Sequence, residues 1–197
     1  MTTEQIKELK VEDIKAAAEQ RGCPVQRALY YVTEFLAGPM CGRCFPCAMG
    51  SYEARIRLQR LVDGQGSDAD VAALKRIAED MAEASFCKKG KDTAKFILDW
   101  MAADVFKTHA AGACPDMTCP ALVEYRIIPE ACTSCGDCKD VCAFSAIHGE
   151  KRKSFKSGYL PFEIRQKKCT RCGECIKVCP SQAIILAAAE AKTTVDV

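Results

Sequence analysis

Fifteen cysteines stand in 197 residues, and eleven of them fall in three runs too tight and too regular for a disulfide framework. Two of the runs copy one another: Cys132-x2-Cys135-x2-Cys138-x3-Cys142 and Cys169-x2-Cys172-x2-Cys175-x3-Cys179-Pro180. Four soft thiolates at the corners of a tetrahedron suit a [4Fe–4S] cubane, and three cysteines two residues apart let a short loop wrap three corners. The fourth cysteine is carried away by the following helical turn, so it serves the cluster of the other run. The expected sets are therefore Cys132, Cys135, Cys138 and Cys179 for one cluster, and Cys169, Cys172, Cys175 and Cys142 for the other. Gly136 and Gly173 sit where each loop must turn without a Cβ. A pair of zinc sites is the competing reading, but zinc ribbons use separated C-x2-C pairs rather than triplets that exchange a fourth ligand. Ala143 follows Cys142 where Pro180 follows Cys179, which alters a turn preference and not the ligand set.

The third run, Cys41-Gly42-Arg43-Cys44-Phe45-Pro46-Cys47, lacks a local fourth ligand. The next cysteine is Cys87, in Ser85-Phe86-Cys87, and a helical hairpin between the two would return the chain to close the site. A lone zinc competes here more evenly. Three cysteines are left over. His109-x4-Cys114-Pro115-x3-Cys119-Pro120 puts three N/S donors within eleven residues, with Cys23 as the available fourth. Such a set suits a structural zinc that clamps two modules together. The alternative is buried inert thiols, with His109 capping a helix end.

These side chains need elements to carry them. Before residue 110 the pattern is helical. A helix is expected over 3–21, ending at Gly22 with Pro24 beyond, and another over 25–37, closed by Gly38-Pro39. A third is expected from near Gly50, through Ile56 and Leu61, to the turn Asp63-Gly64-Gln65-Gly66. Val71, Leu74, Ile77, Ala78 and Met81 recur with helical period, and Phe96, Ile97, Trp100, Met101 and Val105 mark a last helix. After residue 110 the elements shorten around the cysteine repeat. The expected fold class is α+β: an all-α bundle of about five helices over 1–109, a linker with the possible zinc site over 110–122, a small two-cluster domain over 123–189, and a frayed tail over 190–197.

A formal charge of +2 argues against a nucleic-acid or membrane-surface binder. The polar Met1–Lys7 stretch shows no signal peptide, and the longest apolar run, Ala183–Ala189, is too short to cross a bilayer. A soluble, reducing, cytoplasmic setting is expected, and oxygen-sensitive clusters point to an anaerobe. The sole Gly-x-Gly, Gly64-Gln65-Gly66, has neither a preceding strand nor a third glycine, so neither FMN nor NAD is expected in this chain. No Ser/His/Asp set is visible, and His148 reads as a surface histidine. The basic run Lys151-Arg152-Lys153-x2-Lys156 reads as a solvated loop or as a docking surface for an acidic partner.

Tyr30-Tyr31-x3-Glu34-Phe35, Cys41-Gly42-Arg43-Cys44-x-Pro46-Cys47 and Ser85-Phe86-Cys87 together resemble the C-terminal iron–sulfur helical domain of the NADH-binding flavoprotein subunit of respiratory complex I. The nearest likeness is to the related subunits of NAD(P)-linked and electron-bifurcating hydrogenases and formate dehydrogenases, where a bacterial-type 2[4Fe–4S] ferredoxin domain often follows. The resemblance covers about residues 25–187. It implies that Cys41, Cys44, Cys47 and Cys87 bind a [4Fe–4S] cluster, which brings the expected complement to three clusters and one possible zinc. The flavin- and NADH-binding region of that family has no counterpart here. The resemblance then implies a non-catalytic electron-transfer subunit between an NAD(P)H-linked flavoprotein and a second redox subunit (a hydrogenase or formate dehydrogenase) or a ferredoxin. The other readings are a free-standing ferredoxin-like carrier and a non-redox metal scaffold.

Overall fold

The computed structural model describes residues 10–153, 158 and 160–189 and divides into two compact units, one extending to Leu122 and one spanning Val123–Ala189. Among the described residues the first unit holds six α-helices: α1 (Val11–Glu19), α2 (Pro24–Ala37), α3 (Phe45–Val62), α4 (Asp68–Ala84), α5 (Lys88–Met101) and α6 (Val105–Ala110). Two of these differ from expectation. α3 starts five residues before Gly50, because Cys44 takes the extended N-cap conformation and Pro46 is preset for the first turn. The apolar stretch from Phe96 to Val105 is divided between α5 and α6. The expected helix over 3–21 is seen from Val11 to Glu19, its first residues lying outside those described. The expected tail over 190–197 lies outside them too.

α3 and α4 form a hairpin whose turn is fixed by polar contacts. Ser67 and Asp70 make a capping box: the Ser67 hydroxyl accepts from the Asp70 N–H at 3.4 Å, and Asp70 Oδ2 accepts from the Ser67 N–H at 3.0 Å. Asp70 is only 2% exposed, and its Oδ1 accepts from Arg57 Nη1 at 2.8 Å. Burial alone would raise the Asp70 carboxyl, but Ser67, Arg60 and Arg57 outweigh it and hold the group below its ordinary 3.8. A depressed carboxylate contributes stability that is complete above its unfolded-state value and is lost as pH falls through the folded value. Ser67→Ala is accordingly expected to cost about 1 kcal/mol. Asp70→Asn is expected to flatten the acid limb of the stability curve below pH 3.8, read by chemical denaturation at several pH values.

Two cores lie inside this unit. Val25, Ala28, Val32, Leu58, Leu61, Leu74, Ile97 and Phe106 fill one, joined by Cys23, Cys114, Cys119 and Leu122. Ile14, Ala18, Tyr31, Phe35 and Phe96 fill the other, and they pack directly on Cys44 and Cys47. Tyr31 and Phe96 stack there with ring centroids 4.2 Å apart. The stretch 110–122, expected as a linker, packs into this unit, with Cys114, Cys119 and Leu122 buried.

The second unit is built from β1 (Val123–Ile127), α7 (Asp137–Asp140), β2 (Ile147–His148), β3 (Glu163–Ile164), α8 (Glu174–Lys177) and β4 (Ile184–Ala188). β1 pairs antiparallel with β4, placing Ile127 opposite Ile184, and β2 pairs antiparallel with β3, placing Ile147 opposite Ile164. The cysteine repeat extends to the whole unit: a shift of 37 residues, Cys132 to Cys169, carries Ile127 onto Ile164, α7 onto α8 and Ile147 onto Ile184. Each strand thus pairs with a strand of the other copy. Ile147, Phe162 and Ile184 form a core with Cys138 and Cys175, so the two copies bury their thiols between them.

Candidate metal centres

In the first unit, three of the four sequence-predicted ligands of one site lie where helices begin. Cys44 is the N-cap of α3, Cys47 sits in its first turn, and Cys87 is the N-cap of α5. Two helix N-termini, with free N–H groups and positive dipole ends, therefore open on one place and favour an anionic occupant. The Cys44 thiol is lowered, first by the Phe86 backbone N–H that it accepts. Cys47 is pushed up to about 11, first by burial and then by the Cys44 thiol, with Cys87 adding to it. Cys41 is exposed on the loop before α3, next to Gly42 at φ +68°.

Two features of this site show their role only in the structure. Ser85 is buried, and its hydroxyl has no hydrogen-bond partner among the described residues, so a donor is left for a sulfur at this place. Gly90 on α5 lies against Ser85 and Cys47, where an added Cβ would stand 2.8 Å from Ser85 Oγ and 3.2 Å from Cys47 Sγ. Gly90→Ala must displace one of these side chains, an overpacking cost of about 1–3 kcal/mol. The expected outcome is less iron retained by this site after anaerobic reconstitution, measured against unchanged iron in the second unit.

The second unit places the last cysteine of each run near the triplet of the other. Cys138 is pushed up to about 11, first by burial and then by its neighbours Cys135, Cys132 and Cys179. Cys142 lines one cavity with Cys169, Cys172 and Cys175, walled by Tyr125, Ile147 and Ile164. The exchange follows from the short helices: α7 and α8 carry Cys138 and Cys175 inward, and Cys142 and Cys179 leave the far ends. Backbone N–H groups of Ala146 and Ala183 donate to Cys142 Sγ at 3.4 Å and Cys179 Sγ at 3.3 Å. Gly136 and Gly173 take left-handed conformations at φ +92° and +80°, the turns for which a residue without Cβ was expected.

Cys23, His109, Cys114 and Cys119 are all buried, and their ligand atoms lie within 4.8 Å of one another. His109 Nε2 is 3.3 Å from both Cys23 Sγ and Cys119 Sγ. These distances are close to a tetrahedral edge of about 3.5 Å set by Zn–N and Zn–S bonds, and far shorter than a cubane requires. His109 Nδ1 donates to the Val105 carbonyl at 2.8 Å, one helical turn back, which leaves the Nε2 lone pair facing the thiols. Gln26 Nε2 donates to Cys119 Sγ at 3.4 Å. The Cys23 thiol is brought down to about 4, chiefly by the Cys119 thiol, whose own proton is correspondingly held on. All four residues belong to the first unit. The i, i+4 spacing of Val105 and His109 is the signal in the sequence for the bond that orients the imidazole.

His148 is half-buried in β2, where its backbone pairs with Glu163 of β3. In the expected basic run, Lys151 lies over Gly136 and stands 3.7 Å from Asp140, and the Arg152 N–H donates to the Ser134 carbonyl. Lys151, Arg152 and Lys153 are exposed, as a solvated loop would be, while the Arg152 backbone and the Lys151 stem lie against the first cysteine loop. Lys156 lies outside the described residues.

The family model described as the NADH-ubiquinone oxidoreductase-F iron-sulfur binding region matches residues 27–114, and that described as a 4Fe-4S dicluster domain matches residues 131–183. The chain joins these two iron–sulfur regions in one polypeptide. Its relatives include the NADP-reducing hydrogenase subunit HndC of Solidesulfovibrio fructosivorans, 33% identical over 68% of this chain and 28% of that protein. The NADP(+)-dependent formate dehydrogenase subunit beta of Moorella thermoacetica is 34% identical over 38% of this chain and 10% of its own length. An NADH-quinone oxidoreductase subunit of Mycobacterium tuberculosis is 32% identical over 46% of this chain and 21% of its own length. The chain thus spans less than a third of each of these curated relatives. It is an iron–sulfur electron-transfer region related to subunits of NAD(P)-linked hydrogenases, formate dehydrogenases and complex I. Among the described residues, no helix is long and apolar enough to cross a membrane.

Proposed function

We propose that this chain is a relay subunit that passes single electrons between an NAD(P)H-linked flavoprotein and a second redox enzyme or ferredoxin. Cys41, Cys44, Cys47 and Cys87 hold one [4Fe–4S] cluster; Cys132, Cys135, Cys138 and Cys179 hold a second; Cys169, Cys172, Cys175 and Cys142 hold a third. The observation that supports this reading is the position of Cys142 beside Cys169, Cys172 and Cys175, and of Cys179 beside Cys138, an exchange that two cubanes require and paired zinc ribbons do not use. When bound, such clusters supply one-electron transfer at potentials set by charge, hydrogen bonds to sulfur and burial. The chain's own contribution is the helix N-termini behind Cys44 and Cys87, the N–H groups on Cys142 and Cys179, and the apolar cores that keep water from the thiols. Cys23, His109, Cys114 and Cys119 hold one zinc that ties residues 111–122 to α2 and α6.

A partner surface is part of this reading. Phe45, Met49 and Tyr52 follow one another at helical spacing on α3, exposed by 76%, 46% and 49%, and Phe86 beside Cys87 is exposed by 87%. Large apolar side chains bared beside the first cysteine site favour a bound subunit over a freely diffusing carrier. The test is anaerobic purification from the native cell with mass spectrometry of what accompanies the chain. An NAD(P)H flavoprotein in fixed stoichiometry with a second oxidoreductase is the expected result. A brown protein that purifies alone would overturn the relay and favour the free carrier.

A further inference from the structure

The two cysteine copies of the second unit share a backbone but differ in charge. Residues 130–142 carry Glu130, Asp137, Lys139 and Asp140, net −2, whereas residues 167–179 carry Lys167, Lys168, Arg171, Glu174 and Lys177, net +3. The segment packed on the first loop, Glu150–Lys153, adds only +2 to it. The charged residues of β1, Glu124 and Arg126, cancel, as do Glu163 of β3 and Arg165 just after that strand. The difference between the copies is sharpest at one pair of corresponding positions. Ser134 and Arg171 occupy the same place between the first and second cysteines, with the same left-handed conformation, φ +55° and +61°. In the first copy that place holds a hydroxyl that donates to the Leu160 carbonyl at 3.3 Å. In the second it holds a guanidinium whose Nε donates to the Val123 carbonyl at 2.6 Å and whose Nη1 donates to the Cys169 carbonyl at 3.5 Å.

Those two carbonyls fix the Arg171 cation on its own cysteine loop, where a free arginine would swing into solvent. A fixed positive charge favours whichever oxidation state carries more negative charge, and a partly buried site screens it less than open water does. We propose that Arg171 makes the second cysteine set, Cys169, Cys172, Cys175 and Cys142, the preferred resting place of an electron shared between the two sets. This inference rests on the cluster assignment above. The step is one electron: the cluster on the first set is oxidised, the cluster on the second is reduced, and no proton or bond changes hands. Arg171 is a positioning residue that acts through its charge, and it gives the second unit an internal direction of electron flow toward the second copy.

The experiment uses the anaerobically reconstituted full chain, reduced stepwise with dithionite and followed by paramagnetic NMR of the cysteine β-protons, assigned through Cys→Ser variants. In the wild-type protein the β-protons of Cys169, Cys172 and Cys175 are expected to take on the reduced-cluster pattern first. Arg171→Gln should cut the ratio of the two reduced populations by about fivefold, the scale of one unit charge removed at a partly solvated site. Arg171→Lys, which keeps the charge, should retain most of that ratio, an outcome that a purely structural role would not give. Asp140→Lys, at an exposed position corresponding to Lys177, should lower the ratio from the other side and decides the matter where Arg171→Gln fails to assemble. Reduction of the first set first, or an unchanged ratio in an assembled Arg171→Gln protein, would overturn the inference while leaving the cluster assignment intact, as would an unchanged ratio in Asp140→Lys where Arg171→Gln fails to assemble. A wild-type chain that forms no paramagnetic cluster signals from the second unit would instead overturn the assignment on which it rests.

Discussion

Cys119→Ser is expected to abolish binding of one zinc per chain and to destabilise the helical unit by roughly 3–5 kcal/mol. The size of the effect follows from where the donors sit. Cys23, His109, Cys114 and Cys119 are between 0% and 1% exposed, so a shared ion would satisfy their lone pairs and charge away from water. The site joins α2, α6 and the segment that follows α6. Cys23 precedes α2, His109 ends α6, and Cys114 and Cys119 belong to a segment whose only regular structure is a single 3₁₀ turn, Pro120–Leu122. Loss of one ligand leaves the remaining thiols and His109 buried without a shared partner, and Leu122 loses its anchor in the core. Elemental analysis and thermal denaturation, with and without a chelator, measure both parts. The control is Cys41→Ser, which should lose iron and keep zinc. A Cys119→Ser protein with unaltered zinc content and midpoint would refute the metal assignment and leave the four residues as a packed thiol core.

The second large effect concerns the exchanged ligands. Cys142→Ser is expected to remove the cluster held by Cys169, Cys172 and Cys175, although Cys142 belongs by sequence to the other run. Cys179→Ser should spare that cluster and remove the one held by Cys132, Cys135 and Cys138. Each variant should lose about four irons of roughly twelve. The β-proton signals that vanish should be those of the distant triplet, not of the neighbouring one. Loss of signals from the same run as the replaced cysteine would contradict the exchange and would return each run to a self-contained site.

Much of this was legible in the residues. The 37-residue repeat and its three-cysteine loops announced two equivalent sites, and the exchange of fourth ligands needed only the length of one helical turn. Cys87 was within reach of Cys41–Cys47 because α3 and α4 form a hairpin that brings the chain back. The four leftover N/S donors were recognised by elimination, and the structure places them together. Other features were not legible. Hydrophobic period alone placed the start of α3 near Gly50, since an N-cap cysteine followed by proline carries no apolar signal. The break between α5 and α6 is hidden for a different reason, since both flanks are apolar. His148 read as exposed because a two-residue strand gives too short a pattern to reveal which face is covered. The bare face of Gly90 on Cys47, and the contact of Lys151 with Gly136, depend on tertiary packing that no local pattern encodes.

Native mass spectrometry of the anaerobically purified chain tests the central claim most directly, because it counts clusters and ions on one intact molecule. The account predicts a mass equal to the polypeptide plus three [4Fe–4S] clusters and one zinc, with the clusters lost on exposure to oxygen and the zinc retained. A chain that carries zinc alone at all four cysteine sites would contradict it and would make this protein a structural scaffold rather than a path for electrons.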